Sequence, residues 1–305
     1  MLRIAELFQS VHGAVIPFLG VNRLRLPAEL TSVVAYLYPD RVAAEDGDSA
    51  NAATAFFVGV ERFSGNAAFI VTNRHNVESH ATVLRWNSMT GSPLFLETRE
   101  NNWFYSIDPN VDLAIHRFDH ASLGGSLMLS TSDFVTTQEM KHLDVRLGDD
   151  ICMIGLHRDF NGKITNQPTA RFGHLVQFPG DLIVDDRQRA QQFFLVQIPS
   201  LPGFSGSPVF LIQDEWEKDR ENSRITMGGD TRQIRLLGVN SGHLPQLAPT
   251  YLPGTKERNK YLDAEIGSGI ATVVPAQKLS EIISAFLQRN SQNNSSISVS
   301  FGATA

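Results

Sequence analysis

The chain has 305 residues, 42% of them hydrophobic and 19% charged, which is ordinary for a globular protein able to bury a sizeable core. The formal net charge of −6 argues against a nucleic-acid partner, because phosphate binding favours a concentrated basic surface. A single cysteine, Cys152, excludes an intramolecular disulfide, and no stretch reaches the roughly 18 apolar residues that a membrane span requires.

The first 30 residues do not have the pattern of an export signal, because Glu6 and His12 interrupt each apolar run. The apolar spacing of Ile4, Leu7 and Phe8 instead predicts a short amphipathic helix within an N-terminal extension over residues 1–30. Together with the lack of disulfides, this favours a cytoplasmic protein of bacterial type. Export without a leader stays open.

The middle of the chain has the pattern of strands. Short segments rich in β-branched and aromatic residues alternate with clusters of Gly, Asn, Asp and Pro. No helical pattern separates them, which favours an all-β sandwich or a pair of barrels. The predicted strands are 31–38, 67–73, 81–86, 150–156, 193–199, 207–212 and 234–240.

A helix follows the last strand. Pro275 suits a first helical position, and Leu279, Ile282 and Phe286 recur on one face, so the pattern predicts a helix over 275–290. The polar residues 291–305 are expected to form a disordered tail.

Three polar insertions interrupt the strand pattern, at residues 180–192, 213–233 and 244–268. One interpretation is that they are solvated ends of hairpins. The other is that one of them borders a substrate cleft or docks a partner, because loops on rigid scaffolds often carry recognition. The sequence leaves both open.

The strongest local motif is Gly203-Phe204-Ser205-Gly206. Glycines on both sides of a serine allow a sharp turn, which can bring the N–H groups of Gly203 and Ser205 together. Two such donors can hold the negative oxygen that develops on an attacked carbonyl. A Gly/Ser turn between two strands would have the same composition, so the motif alone does not establish chemistry.

A serine hydroxyl is a weak nucleophile without a base, so a base must come from elsewhere in the chain. His75 follows an apolar strand and a short polar turn, and Asp112 stands at the start of another strand. Taken singly, a histidine is more often structural than catalytic, and an aspartate at the start of a strand is common.

Together the three segments resemble the trypsin-like serine peptidases, most closely their disulfide-poor bacterial branch. The family's histidine segment reads approximately T-x-x-H-V, and TNRHNV around His75 is similar to it. The family's D-[LI]-A pattern is matched at Asp112, and its G-x-S-G-[GS]-P pattern from Gly203 through Pro208. The order along the chain is also the family's, with gaps of 37 and 93 residues (112 − 75 and 205 − 112).

The resemblance implies an all-β fold of two six-stranded antiparallel Greek-key barrels packed together. The first barrel is expected over about 31–135 and the second over about 136–274, with the helix 275–290 completing a peptidase domain of residues 31–290.

The resemblance also implies the roles of residues. Ser205 would be the nucleophile of a serine endopeptidase that works through an acyl-enzyme, and His75 would be its general base and then acid. Asp112 would orient His75, and the N–H groups of Gly203 and Ser205 would form the oxyanion hole. Such an enzyme takes a protein or peptide substrate and requires neither metal nor cofactor.

The sequence departs from the family in informative places. Many digestive members have an aspartate before the nucleophile, which pairs with a newly freed N-terminus, whereas this chain has Phe204. Activation by a new N-terminus is therefore not expected, and the enzyme is either constitutively competent or ordered by a regulatory partner. Arg74 and Asn76, on either side of the histidine, are also unusual.

The primary specificity pocket is expected to be lined by residues from two segments. None of them is acidic, so a preference for Lys or Arg has no charge partner, and a small or medium apolar residue before the scissile bond is expected. The pocket residues are Pro199, Ser200, Leu201, Asn240, Ser241 and Gly242.

Other interpretations of the motifs exist. An α/β-hydrolase is disfavoured because Ser207 stands where the last glycine of G-x-S-x-G belongs, and because the order of the three residues is wrong for that fold. A catalytically silent relative that binds proteins stays open. Oligomeric state and natural substrate are not readable from the sequence.

Overall fold

The computed structural model describes residues 26–60, 67–185, 187–199, 201–218, 225–251 and 258–300. The predicted N-terminal helix lies outside these residues, which begin just before a 3₁₀ helix at Ala28–Val33. Two β units follow, and α-helices are few.

The first unit is a curled sheet whose hydrogen-bonded order is β5-β4-β1-β2-β3-β7-β6, with β8 paired in parallel to β2. All its other pairings are antiparallel. The strands are β1 (Val34–Tyr38), β2 (Ala53–Val60), β3 (Ala67–Thr72), β4 (Val83–Asn87), β5 (Pro93–Glu97), β6 (Trp103–Tyr105), β7 (Ala114–Phe118) and β8 (Leu129–Ser130).

The second unit is a closed barrel in the order β10-β13-β16-β15-β14-β9, and the small hairpin β11–β12 stands apart from it. The strands are β9 (Asp150–Gly155), β10 (Thr169–Gln177), β11 (Ile183–Val184), β12 (Ala190–Gln191), β13 (Phe194–Gln197), β14 (Pro208–Lys218), β15 (Ile225–Tyr251) and β16 (Arg258–Pro275).

Four α-helices complete the described part of the chain: α1 (Arg41–Asp46), α2 (Arg74–Glu78), α3 (Thr137–His142) and α4 (Ala276–Ser300). Helix α4 continues ten residues past the predicted end at 290. It joins the two units, because Phe286 makes edge-to-face contacts with Phe69 and Phe104 of the first sheet. None of the described helices is both long enough and apolar enough to cross a membrane.

The all-β prediction is confirmed, and the closed six-stranded second barrel is as expected. The first unit differs from a six-stranded barrel, since it has eight strands and its end strands β5 and β6 are not paired with each other. A cavity of about 250 Å³ lies between the side of the sheet with β5 and the side with β7, lined by Leu94, Leu96, His116 and Phe118 among others. Strand β6 has only three residues, all paired to β7, which leaves little backbone to close the sheet.

Two of the polar insertions, 213–233 and 244–268, contain strand residues that the hydrophobic pattern did not predict. The strand predicted over 234–240 runs through β15 from Ile225 to Tyr251, because its ends pair with polar stretches of β14 and β16. Cross-strand backbone pairing does not require apolar side chains, so hydrophobic pattern alone marks only the buried middle of such a strand.

Strand β1 is buried on both faces, which explains its continuous apolar run. Tyr36 and Tyr38 face the core shared with the second unit, while Ala35 and Leu37 face the inside of the first sheet. Successive side chains of a strand point to opposite faces, so both faces must be apolar here. Cys152 lies in the shared core, where burial raises the pKa of its thiol to about 12, so it is protonated at neutral pH.

A buried arginine ties the two units together. Arg85 on β4 is fully buried, and its guanidinium donates to Asn166 Oδ1 at 2.7 Å and to the carbonyls of Ala44 (2.8 Å), Gly162 (2.7 Å) and Lys163 (3.0 Å). None of the described carboxylates pairs with it. The oriented dipoles of these carbonyl and amide groups stabilise the charge. A smaller side chain at this position would leave their oxygens without a donor.

We expect Arg85→Ala to lower the free energy of unfolding by about 3 kcal/mol or more, because it leaves several buried acceptors unpaired. Urea denaturation measures the loss. Arg99→Ala is the matched control at an exposed position and should change stability by less than about 0.5 kcal/mol. Equal effects of the two substitutions would contradict the structural role of Arg85.

Candidate active site

His75 is positioned by the end of strand β3. The strand stops at Thr72, Asn73 stays extended, and one helical turn, α2, then carries His75. The Asn73 side chain donates to the backbone carbonyl of Asp112 at 2.9 Å, which holds the two segments side by side. His75 is 8% exposed, so it is largely buried and keeps a small accessible area.

His75 and Asp112 form a close pair. The ring Nδ1 lies 2.7 Å from Asp112 Oδ2, and the backbone N–H of His75 donates to Oδ1 at 3.0 Å. Because an ionised carboxylate only accepts, Nδ1 carries the proton of the neutral ring. Nε2 is therefore left as a proton acceptor, as a general base requires.

The Asp112 carboxylate has no solvent exposure and accepts four hydrogen bonds. Besides the two from His75, Ser241 Oγ donates to Oδ2 at 2.7 Å and Arg189 Nη1 donates to Oδ1 at 2.6 Å. Burial by itself raises the pKa of Asp112. The charge and hydrogen bonds of His75 and the bond from Ser241 outweigh burial and lower the pKa to about 2.

Residues 203–206, called the serine loop below, make a sharp turn that needs glycine at two places. Gly203 has φ +99° and Gly206 has φ +86°, in the region that L side chains avoid. A Cβ at Gly206 would lie 2.0 Å from the carbonyl oxygen of Thr54, and one at Gly203 would lie 2.9 Å from that of Leu156. The loop therefore packs directly on neighbouring backbone.

The first sheet holds the carbonyl groups of the serine loop. The Thr54 N–H donates to the Ser205 carbonyl at 2.9 Å, and Thr54 Oγ1 donates to the Gly203 carbonyl at 2.7 Å. Asn76, next to His75, also donates to the Ser205 carbonyl at 3.2 Å. The loop belongs to the second barrel, so these bonds fix it against the unit that carries His75.

Two N–H groups of the loop are left available. The Phe204 N–H donates to Leu201 and the Gly206 N–H donates to Asn240, whereas no described acceptor takes the N–H of Gly203 or Ser205. These are the two donors that the sequence assigned to an oxyanion hole. The structure also shows no hydrogen bond between Ser205 Oγ and His75 among the described residues. Such bonds are often long in a ligand-free site.

The buried side chain of Phe204 anchors the serine loop in the core. It is fully buried, with the Arg171 guanidinium 4.8 Å from its ring centroid and the His157 ring edge-to-face against it. The phenyl ring thus packs in the position before Ser205, where an aspartate would form an ion pair.

The predicted pocket residues are placed as follows. Ser200 lies outside the described residues, and Pro199 and Leu201 are exposed. The Asn240 side chain is buried and donates to the Phe204 carbonyl at 2.8 Å, while that of Ser241 faces Asp112. Gly242 borders open space, since a Cβ there would meet no atom within 4 Å.

Three contributors to the site had no clear signal in the sequence. Thr54 lies on a strand with no motif, and Arg189 lies in the polar insertion 180–192, where several charged residues are adjacent. Asn76 was noticeable only as an unusual neighbour of His75. All three act through contacts between segments far apart in the chain.

No protein-family model matches this chain, and no curated protein sequence is similar to it. Solved structures are similar in fold. The apo protease domain of MamO from Magnetospirillum magneticum aligns over 84% of this chain and 98% of that one, with 16% identity and a TM-score of 0.48.

Two other solved structures are similar. Rv3671c protease in an inactive form aligns over 84% of this chain and 89% of its own, with 14% identity and a TM-score of 0.43. The HtrA-type protease AlgW with a decapeptide aligns over 76% and 50%, with 16% identity and a TM-score of 0.41. At these identities and TM-scores, the likeness transfers no residue role or activity to this chain.

The low pKa of Asp112 predicts how acid affects stability. Because the folded-state pKa is below the ordinary value of about 3.9, the ionised carboxylate stabilises the fold above about pH 4, and this stability is lost as the pH falls toward 2. Asp112→Asn cannot take up that proton. We therefore expect the difference in unfolding free energy between wild type and variant to shrink by about 2 kcal/mol between about pH 6 and about pH 2.

Urea denaturation at several pH values measures this difference. Asp159→Asn removes an exposed carboxylate and serves as the control for the loss of one charge. A difference between wild type and Asp112→Asn that stays constant over the whole range would contradict the assignment of the low pKa to Asp112.

Proposed function

We propose that this chain is a serine endopeptidase of the trypsin-like type, with Ser205 as nucleophile, His75 as general base and acid, and Asp112 as the residue that orients His75. The observation that carries the proposal is the 2.7 Å contact between His75 Nδ1 and the buried carboxylate of Asp112, beside a serine loop fixed to the same unit. A buried aspartate that accepts a hydrogen bond from Nδ1 of a histidine leaves Nε2 of that ring free to accept a proton.

The steps follow from these groups. Ser205 Oγ attacks the carbonyl carbon of the scissile peptide bond while His75 Nε2 takes its proton, and the carbonyl oxygen becomes an oxyanion. The N–H groups of Gly203 and Ser205 are the donors for that oxyanion. His75 then gives the proton to the leaving amine, which leaves an acyl-enzyme on Ser205.

Water completes the reaction by the same route. His75 takes a proton from the attacking water, and the second tetrahedral intermediate collapses to release the acid and restore Ser205. Asp112 does not take up the proton in either half. Its negative charge stabilises the imidazolium, and its two bonds to His75 hold the ring in one orientation.

The substrate is proposed to be a protein or peptide with a small or medium apolar residue before the scissile bond. The described pocket residues contribute no carboxylate that could bind a Lys or Arg side chain. Gly242, the last of the predicted pocket residues, has open space in place of a side chain, because a Cβ there would meet no atom within 4 Å.

A second candidate is a catalytically silent protein-binding module. It is favoured by one observation, that Ser205 Oγ makes no hydrogen bond to His75 in the part of the chain that the structure describes. Reactivity of the serine separates the two candidates, because only a base-activated hydroxyl reacts rapidly with an electrophile.

We expect a fluorophosphonate probe to label the native protein at Ser205, and Ser205→Ala to abolish labelling. His75→Gln should slow labelling by about a thousandfold, because the base is lost. Ser207→Ala is the matched control, since Ser207 is fully buried two residues away, and it should label like wild type. Mass spectrometry of the labelled peptide identifies the site. A native protein that stays unlabelled supports the binding module.

The oxyanion hole gives a separate prediction. Thr54→Val keeps the shape of the side chain but removes its bonds with the Gly203 carbonyl and with the Leu156 N–H. The peptide group between Gly203 and Phe204, which lies between the two oxyanion donors, then loses the bond that holds it. We expect kcat for a peptide substrate to fall by about tenfold or more, with KM little changed.

Thr98→Val is the control for losing a buried threonine hydroxyl in the first unit, one residue after the end of β5. Its Oγ1 donates to the Thr82 carbonyl at 2.8 Å, away from the serine loop. Similar falls in kcat for the two variants would argue against a specific role of Thr54 in the oxyanion hole.

A further inference from the structure

The described residues of the insertion 180–192, which are all of it except residue 186, form a hairpin. Strands β11 and β12 pair through Ile183 with Gln191 and Val184 with Ala190. In the turn between them, Asp185 Oδ1 accepts the backbone N–H groups of Arg187 at 2.9 Å and of Arg189 at 2.8 Å. A side chain that caps its own turn in this way fixes the direction in which the next residues leave.

The hairpin lies against the unit that carries His75. The Ala190 N–H donates to Asn110 Oδ1 at 3.2 Å, close to the start of β7. Arg189 donates from Nη1 to Asp112 Oδ1 at 2.6 Å and from Nη2 to Glu78 Oε2 at 2.5 Å. The Arg189 side chain is only 14% exposed.

Its two carboxylate partners both belong to segments next to His75. Asp112 is bonded to the ring, and Glu78 stands three residues after His75 on the single turn of α2. Arg74 also pairs with Glu78, but without the Arg189 guanidinium between them two carboxylates close enough to share one cation would repel each other. The planar guanidinium can hold both at once, which a single ammonium group does less well.

We propose that Arg189 is a positioning residue for the Asp112–His75 pair, so that the active site is complete only when the 180–192 hairpin is docked. This inference rests on the proposed function. Arg189 supplies the fourth donor to Asp112 and ties that carboxylate to the helix that carries His75. The insertion is accordingly a structural part of the site and not a solvated hairpin end.

The test compares two arginines of the same hairpin. Arg189→Gln removes the bridge, whereas Arg187→Gln makes the same change of charge two residues away at an exposed position. We expect Arg189→Gln to lower kcat for a peptide substrate by about tenfold or more and to leave KM within about twofold, because substrate contacts are unchanged. Arg187→Gln should behave like wild type.

A second readout does not depend on turnover. In protein carrying Ser205→Ala, proton NMR should show the His75 Nδ1 proton far downfield, as expected for a hydrogen bond to a carboxylate. We expect Arg189→Gln to weaken or shift this signal and Arg187→Gln to leave it unchanged. This measurement stays informative even if the native protein proves to have no peptidase activity.

Arg189→Lys keeps the charge, but an ammonium group binds one carboxylate better than it bridges two. We therefore expect its kcat to lie between those of wild type and Arg189→Gln. It also provides a folded comparison if Arg189→Gln does not fold, as judged by circular dichroism. The proposal is overturned if Arg189→Gln matches Arg187→Gln in both readouts, if it raises kcat, or if Arg189→Lys equals wild type in both.

Discussion

The arrangement of the site depends on the need to satisfy one buried negative charge. Asp112 has no contact with solvent, so its carboxylate must find donors inside the protein. Those donors come from α2, from β15 and from the 180–192 hairpin, in the form of His75, Ser241 and Arg189. Because the carboxylate accepts hydrogen bonds from three separate segments, it also fixes those segments relative to one another.

Hydrogen bonds between the two units also hold the serine loop. Its glycine conformations bring its backbone against β2, where Thr54 binds two of its carbonyls, while Asn76 reaches the same loop from α2. Arg85 ties the units together at a second place, through carbonyl groups and an amide. Polar contacts therefore set the relative position of the two units near the site, and the shared apolar core contributes the bulk of the burial.

Local pattern predicted the elements with strong periodicity. The apolar run of β1 and the helical face of α4 are readable because burial on both faces, or on one helical face, leaves a regular spacing of apolar residues. The lengths of β15 and α4 were underestimated, because their ends are polar and are held by backbone hydrogen bonds. No sequence signal indicated that β5 and β6 would stay unpaired with each other, since closure of a sheet depends on tertiary geometry.

The sequence by itself determined which residues are candidates for chemistry, since His75, Asp112 and the glycines around Ser205 stand in short motifs whose residue types suit only a few roles. Only the tertiary structure decided that Asn240 turns under the serine loop, that Ser241 turns to Asp112, and that Arg189 bridges Asp112 and Glu78. A hydrogen bond between distant segments depends on where both strands and both side chains end in space. Such a position is the outcome of packing the whole chain, and no local spacing of residues encodes it.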